Sequence, residues 1–289
     1  MASILSISSI MALAAFAAPE DYVTGPVETV AEGFLFSEGP VWLITGELVF
    51  SDIPADTIFR TDKSVFRRPS GKSNGLTLDH EGRLIACEHW NRRVTRTEDD
   101  GTITVLAETY EGKKLNSPND AIVRSDGTVY FTDPPYGLEG REQEQPCQGV
   151  YAIAPDGTLT RLVDDFIKPN GIGLSPDEKI LYVADTEGLK IRAFDVAEDG
   201  SISNGRVCCE LPYPDGMAID TKGYVWCTAE DGVRVFTPAG ELVYTVVAPQ
   251  APANCTFGGD DGKTLFMTAR TGLYKVRVAT AGVLPGRHP

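Results

Sequence analysis

Two acids and four amides recur at one position of a repeated pattern. Glu38 opens EGPVWLITGELVFSD, Asn74 opens NGLTLDHEGRLIACE and Asn119 opens NDAIVRSDGTVYFTD, while Asn170 opens NGIGLSPDEKILYVAD, Asp215 opens DGMAIDTKGYVWCTA and Asn254 opens NCTFGGDDGKTLFMTA. Any one of them alone reads as a turn former, and Asp215 in YPDG (213–216) has the preferences of a type I turn. Six in one register are harder to assign to turns, where Ser, Gly or Lys would serve equally. Brought together, they would form a ring of hard oxygen donors free of cysteine and histidine. That set suits Ca2+ first, Mg2+ or Mn2+ next and Zn2+ least, and its two carboxylates balance a divalent charge.

Such a ring needs elements that converge on a point. A glycine stands eight residues after the opening in five of the six repeats (Gly46, Gly82, Gly127, Gly223, Gly262), and Pro176-Asp177-Glu178-Lys179 replaces it in the fourth. Glycine at a fixed offset between two apolar, β-rich runs marks a hairpin. A third alternating run follows most units, as in LKIRAFDV (189–196) and GVRVFTP (232–238), and no segment keeps helical periodicity for a useful length. The openings are spaced at 36, 45, 51, 45 and 39 residues, close to the ~40–50 residues of a four-stranded propeller blade. We therefore expect an all-β, six-bladed β-propeller with four-stranded antiparallel blades over 18–289. Neighbouring sheets in such a ring cover each other's apolar faces. The last unit runs out after GLYKVRV (272–278), and PVETVAEGF (26–34) alternates suitably to supply its missing outer strand and close the ring. A two-sheet sandwich would leave the sixfold grammar unexplained. In the propeller, the first strand of each blade lines the channel, so the six opening residues meet at the axis.

SEGPVW, SPNDAIVRSDGTVYFTDPPYG, KPNGIGLSPDEKILYVADT, YPDGMAID and CTFGGDDGKTLFMTAR occur in that order, and with them the chain resembles the senescence-marker-protein/gluconolactonase (regucalcin-like) family, in its bacterial gluconolactonase branch. The resemblance runs from about Glu20 onward. It implies a six-bladed propeller with one divalent metal on the axis that hydrolyses sugar lactones. It also implies Glu38, Asn170 and Asp215 as metal ligands, with Asn119 contacting substrate or the metal-bound water. Some relatives carry a substrate-binding arginine two residues before that asparagine, and Ser117 stands here instead.

Opening a lactone takes an electrophile on the carbonyl, a placed water and a base, and Asp215 is the candidate base. His89 in CEHWNRR is a candidate for binding a substrate hydroxyl, with a surface or internally satisfied histidine as the alternative. Asp133 and Tyr136 in FTDPPYG begin a loop to Gln148 that could form a lid, and Arg270 reads equally as an ion-pair partner or a substrate ligand. GKSNG (71–75) matches the serine-hydrolase elbow, but a strand pattern rather than a helix follows Ser73. Two other readings stay open: a metal-dependent esterase or organophosphate hydrolase at the same site, and a non-catalytic propeller that binds a protein or sugar.

Acidic residues number 41 against 26 Lys+Arg, a formal net charge of −15, which argues against nucleic acid and anionic membranes as partners. Residues 1–17 are apolar and rich in small side chains, and Ala15-Phe16-Ala17 offers an A-x-A cleavage site, although no Lys or Arg precedes the apolar run. We expect an export signal and a periplasmic or secreted protein, cytoplasmic if that segment is no signal. The six cysteines show no CxxC pair or metal-finger spacing and read as buried free thiols. A closed ring of blades is self-sufficient as a monomer.

Overall fold

The computed structural model describes residues 21–287; the segment read as an export signal lies outside them. Six four-stranded antiparallel sheets follow one another along the chain. Blade one is β2 (Ser37–Trp42), β3 (Leu48–Asp52), β4 (Thr57–Arg60) and β5 (Val65–Arg67), and blade two is β6 (Ser73–Leu78), β7 (Leu84–Glu88), β8 (Arg93–Thr97) and β9 (Ile103–Ala107). A two-stranded hairpin, β10 (Thr109–Tyr110) and β11 (Lys113–Lys114), precedes blade three, which is β12 (Ala121–Val123), β13 (Val129–Asp133), β14 (Gly149–Ile153) and β15 (Leu159–Val163). Blade four comprises β16 (Pro169–Leu174), β17 (Ile180–Asp185), β18 (Lys190–Val196) and β19 (Ile202–Glu210). Blade five comprises β20 (Met217–Ile219), β21 (Val225–Ala229), β22 (Gly232–Phe236) and β23 (Leu242–Val246). Blade six takes β24 (Asn254–Gly258), β25 (Thr264–Ala269) and β26 (Gly272–Arg277) from the end of the chain and β1 (Glu28–Glu32) from its start, with Thr29 opposite Tyr274. This is the expected closure, and it leaves no blade with an unpaired third strand.

The core confirms the ring. Its six hydrophobic clusters each draw on two adjacent blades: Val41, Val49 and Ile58 with Leu76, Leu78 and Ala86 between blades one and two, through to Phe266 and Leu273 with Leu48 and Phe50 between blades six and one. The apolar faces of one sheet are thus covered by the next, as the alternation of each strand demands. The repeat glycines adopt left-handed backbone between β-strands one and two of their blades, and where blade four lacks glycine, Glu178 takes φ 56°.

Near the axis the inner strands approach so closely that they share hydrogen bonds: Gly75 N–H donates to Asn119 O at 2.7 Å, and Gly171 N–H to Asp215 O at 3.2 Å. A Cβ at Gly39 would lie 1.9 Å from Asn74 O, and one at Gly171 would lie 2.3 Å from Asp215 O. Glycine therefore follows the opening residue because the neighbouring backbone occupies the side-chain space. Hydroxyls on second strands reinforce the contact, with Ser51 Oγ donating to Asn74 O at 2.7 Å and Thr132 Oγ1 to Asn170 O at 2.7 Å. All six cysteines are free; Cys147 and Cys208 are only partly buried, the other four fully. No helix among the described residues is long and apolar enough to cross a membrane.

Candidate active site on the propeller axis

Five of the six opening residues meet. Glu38, Asn74, Asn119, Asn170 and Asp215, contributed by blades one to five, line a cavity of about 490 Å3 together with His89, Tyr136, Glu139 and Arg270. Leu35, Phe36, Ile53 and Pro54 form its apolar wall. Glu38, Asn74, Asn119 and Asn170 are buried, whereas Asp215 is half-buried and open to the cavity. The sixth, Asn254, departs from expectation. Its Nδ2 donates to Asp120 Oδ2 at 3.3 Å, and it lines a separate cavity of about 110 Å3 further along the inner strands. Asn254 is an amide beneath the ring.

Asp120 is the reason, and sequence reasoning missed it. It stands where four repeats carry glycine, and its buried carboxylate adds a third acid to the axis, beyond the two expected. Loss of water pushes Asp120 up to about 8, with Glu38 as the next cause. Burial likewise pushes Glu38 up to about 7, against hydrogen bonds from Gly39 N–H (2.8 Å) and Asn254 and the charge of Arg270. Removal from bulk water, then the charges of Glu38 and Asp120, hold Asp215 well above the ordinary carboxylate range, with a hydrogen bond from Asn170 opposing. The signal was present in the sequence: at the position after the opening residue, Asp120 and Cys255 are the two that break the glycine pattern.

These groups fit a cation. Arg270 is the positive charge facing Glu38 and Asp215, yet it forms no ion pair with either; its guanidinium lies over the Phe36 ring, 5.4 Å from the centroid. Carboxyls crowded on an axis and held toward neutrality by burial first and by one another second are stabilised as anions by a divalent ion. The amide of Asn170 is fixed by Nδ2 donating to Thr186 Oγ1 at 3.0 Å and to Tyr136 OH at 3.5 Å. No group of three or more His, Cys, Asp or Glu side chains among the described residues has a metal-binding arrangement, and the donor set here is carboxylates mixed with amides.

The other candidates separate. His89 follows β7, is buried and lines the cavity; burial lowers it to about 4, so the imidazole is neutral. Tyr136 lines the cavity from a 3-10 turn (Tyr136–Leu138). Asp133 does not: its Oδ2 accepts Asn116 N–H at 2.7 Å and holds the approach to blade three. The loop after Tyr136 is tied down rather than free to act as a lid, by Lys72–Glu139 at 2.7 Å, Arg92–Glu144 at 3.0 Å and Gln145 Nε2 donating to Lys113 O at 2.9 Å on the β10–β11 hairpin. Ser117 is buried outside the cavity, donating from Oγ to Pro134 O at 2.6 Å and accepting Gly137 N–H at 2.8 Å, so it shapes the turn that carries Tyr136. Ser73 Oγ bonds Ser51 Oγ at 2.8 Å on strand β6, which confirms that the elbow motif is coincidental.

The family model described as SMP-30/Gluconolactonase/LRE-like region matches residues 36–271. The gluconolactonase of Zymomonas mobilis is 32% identical over 297 residues, covering 90% of this chain and 83% of that protein. Regucalcin of Bos taurus is 32% identical over 256 residues, covering 82% of this chain and 84% of that protein. The solved gluconolactonase structure from Xanthomonas campestris is 34% identical with a TM-score of 0.82, covering 90% of this chain and 95% of that one. The matched span runs over every blade and holds all the residues of the cavity except Leu35, and the chain belongs to the SMP-30/gluconolactonase/LRE-like family.

Proposed function

We propose that the chain is a divalent-metal-dependent lactonase that opens a sugar lactone of the gluconolactone type to the aldonic acid, and that it works after export. The observation that carries this reading is the convergence of Glu38, Asn170 and Asp215, with Asn119, on one open cavity in a chain whose relatives are gluconolactonases. Glu38, Asn170 and Asp215 would hold the cation, Ca2+ by preference with Mg2+, Mn2+ or Zn2+ as substitutes; bound there, it supplies Lewis acidity at the lactone carbonyl.

The remaining chemistry belongs to the chain. Asn119 and His89 bind ring hydroxyls and set the lactone's face toward Asp215. As water oxygen bonds to the carbonyl carbon, Asp215 takes the water's proton; as the ring C–O bond breaks, the same proton passes to the departing ring oxygen, leaving a hydroxyl and a carboxylic acid. A carboxylate that also ligates a cation is a weak base. In the metal-free site, burial and then the charges of Glu38 and Asp120 raise the proton affinity of Asp215, and a lactone is reactive enough to need little. Leu35, Phe36, Ile53 and Pro54 add apolar surface to the same cavity.

A pH-stat panel of sugar lactones on the wild type and on Asp215→Asn tests this. Hydrolysis of at least one aldonolactone above its spontaneous rate is expected for the wild type, with loss in the variant. A folded wild type with no rate above background on any member of the panel would overturn the lactonase reading.

A further inference from the structure

We infer that Asn74 is a further protein ligand of the axial cation, with its oxygen turned toward the axis by His89. The inference rests on the metal reading above and extends the ligand set beyond Glu38, Asn170 and Asp215. Asn74 opens blade two at the same register as those three, is 3% exposed and lines the same cavity. Its Nδ2 lies 3.3 Å from His89 Nε2, and its Oδ1 is buried without a hydrogen-bond partner. Among the described residues, no other side-chain atom of the six opening residues is left in that state.

An orphaned buried acceptor costs folding free energy unless a cation or a donor satisfies it. Asn74 cannot escape by moving. Its carbonyl is held by Ser51 Oγ at 2.7 Å, and the Gly39 backbone packs against it so closely that a Cβ there would lie 1.9 Å away. The side chain is equally constrained. The amide Nδ2 can only donate, so at 3.3 Å His89 Nε2 is its acceptor, which leaves the oxygen, not the NH2, for the cavity. Gly137 closes over the imidazole, since a Cβ there would meet His89 Cγ at 2.6 Å, and this fixes the ring. His89 is thus a positioning residue for Asn74, in the way that outer groups orient the ligands of many metal sites.

Calorimetric titration of the chelator-stripped full chain with CaCl2, with folding followed by circular dichroism and melting, tests this without turnover. Asn74→Ala is expected to weaken Ca2+ binding by about tenfold or more, the scale seen when ligand-orienting groups are removed. His89→Leu should weaken it comparably, and His89→Gln should restore it, because the Gln Oε1 can accept the same amide N–H. Asn74→Ala binding Ca2+ like the wild type would overturn the inference, and His89→Gln no better than His89→Leu would overturn the positioning role. Should Asn74→Ala fail to fold, Asn74→Asp carries the test: a carboxylate on the cation binds Ca2+ at least as tightly as the wild type, and weaker binding overturns the assignment. A wild type that titrates no divalent cation would instead remove the axial-metal reading itself, and this inference with it.

Discussion

Gly171→Ala puts the closeness of the inner strands to the test. Gly171 follows the candidate ligand Asn170, and a Cβ there would stand 2.3 Å from Asp215 O, 2.8 Å from Gly216 Cα and 3.0 Å from Gly216 C. All three are backbone atoms on the neighbouring blade, so no flexible side chain can yield. Relief requires blades four and five to part, which lengthens the 3.2 Å bond from Gly171 N–H to Asp215 O. Overpacking costs roughly 1–3 kcal/mol and the lost hydrogen bond about 1, so we expect about 2–4 kcal/mol and a drop in Tm on the order of 10 °C for a domain of this size. The same movement separates Asn170 from Asp215, and a displacement of about 1 Å at a reacting centre costs about 100-fold in rate. Gly46→Ala is the control: its φ is 86° and nothing lies within 4 Å of the new Cβ, so it should cost about 1–2 kcal/mol from the left-handed backbone alone and leave the activity per folded molecule unchanged. Calorimetry and initial rates on both variants decide. Wild-type Tm and rate in Gly171→Ala, or equal rate losses in both, would refute the reasoning.

Three further outcomes are expected. Asp215→Asn and Glu38→Gln should each abolish metal-dependent turnover while the circular dichroism spectrum stays that of the wild type, and full activity in either removes that residue from the site. In the metal-free protein, Glu38 sits at about 7 and Asp120 at about 8, above their unfolded values, so the unfolded chain releases these protons first as pH rises. Stability of the EDTA-treated protein should then fall between about pH 4 and pH 8, by up to about 3 kcal/mol from Glu38. Added CaCl2 should raise Tm more at pH 8 than at pH 5, and a chelated Tm that rises over that interval contradicts the assignment. Ser117→Ala leaves Gly137 N–H without its acceptor and should cost about 1–3 kcal/mol, raising KM more than it lowers kcat as Tyr136 loosens; an unchanged KM would show that the turn does not shape the cavity.

The propeller was legible because it is written six times. Even the irregular fourth repeat kept the grammar, with Glu178 taking the left-handed turn that glycine takes elsewhere. The alternation of 26–34 likewise foretold the closing strand, whose ladder spans Glu28–Glu32, with Gly33 and Phe34 N–H donating onward to Thr271 O at 2.9 and 3.2 Å. What the pattern does not encode is the lean of a side chain at a strand's entrance. Asn254 shares the register of Asn170 but turns to Asp120, a partner 134 residues away in sequence. The fate of the loop after Tyr136 depended on similarly remote partners: Lys72, Arg92 and the β10–β11 hairpin, which no local signal announced. From sequence alone Arg270 reads equally as an ion-pair partner or a substrate ligand, and its position over Phe36, facing the cavity without an ion pair to Glu38 or Asp215, follows from blade six lying beside blade one.

The most direct test of the metal lactonase is hydrolysis of D-glucono-1,5-lactone by the purified full chain, corrected for spontaneous opening, before chelation, after EDTA treatment and after return of CaCl2. The rate should fall to background on chelation and recover with the ion. A rate above background that is unaffected by chelation and by readdition would contradict metal-dependent catalysis on the propeller axis.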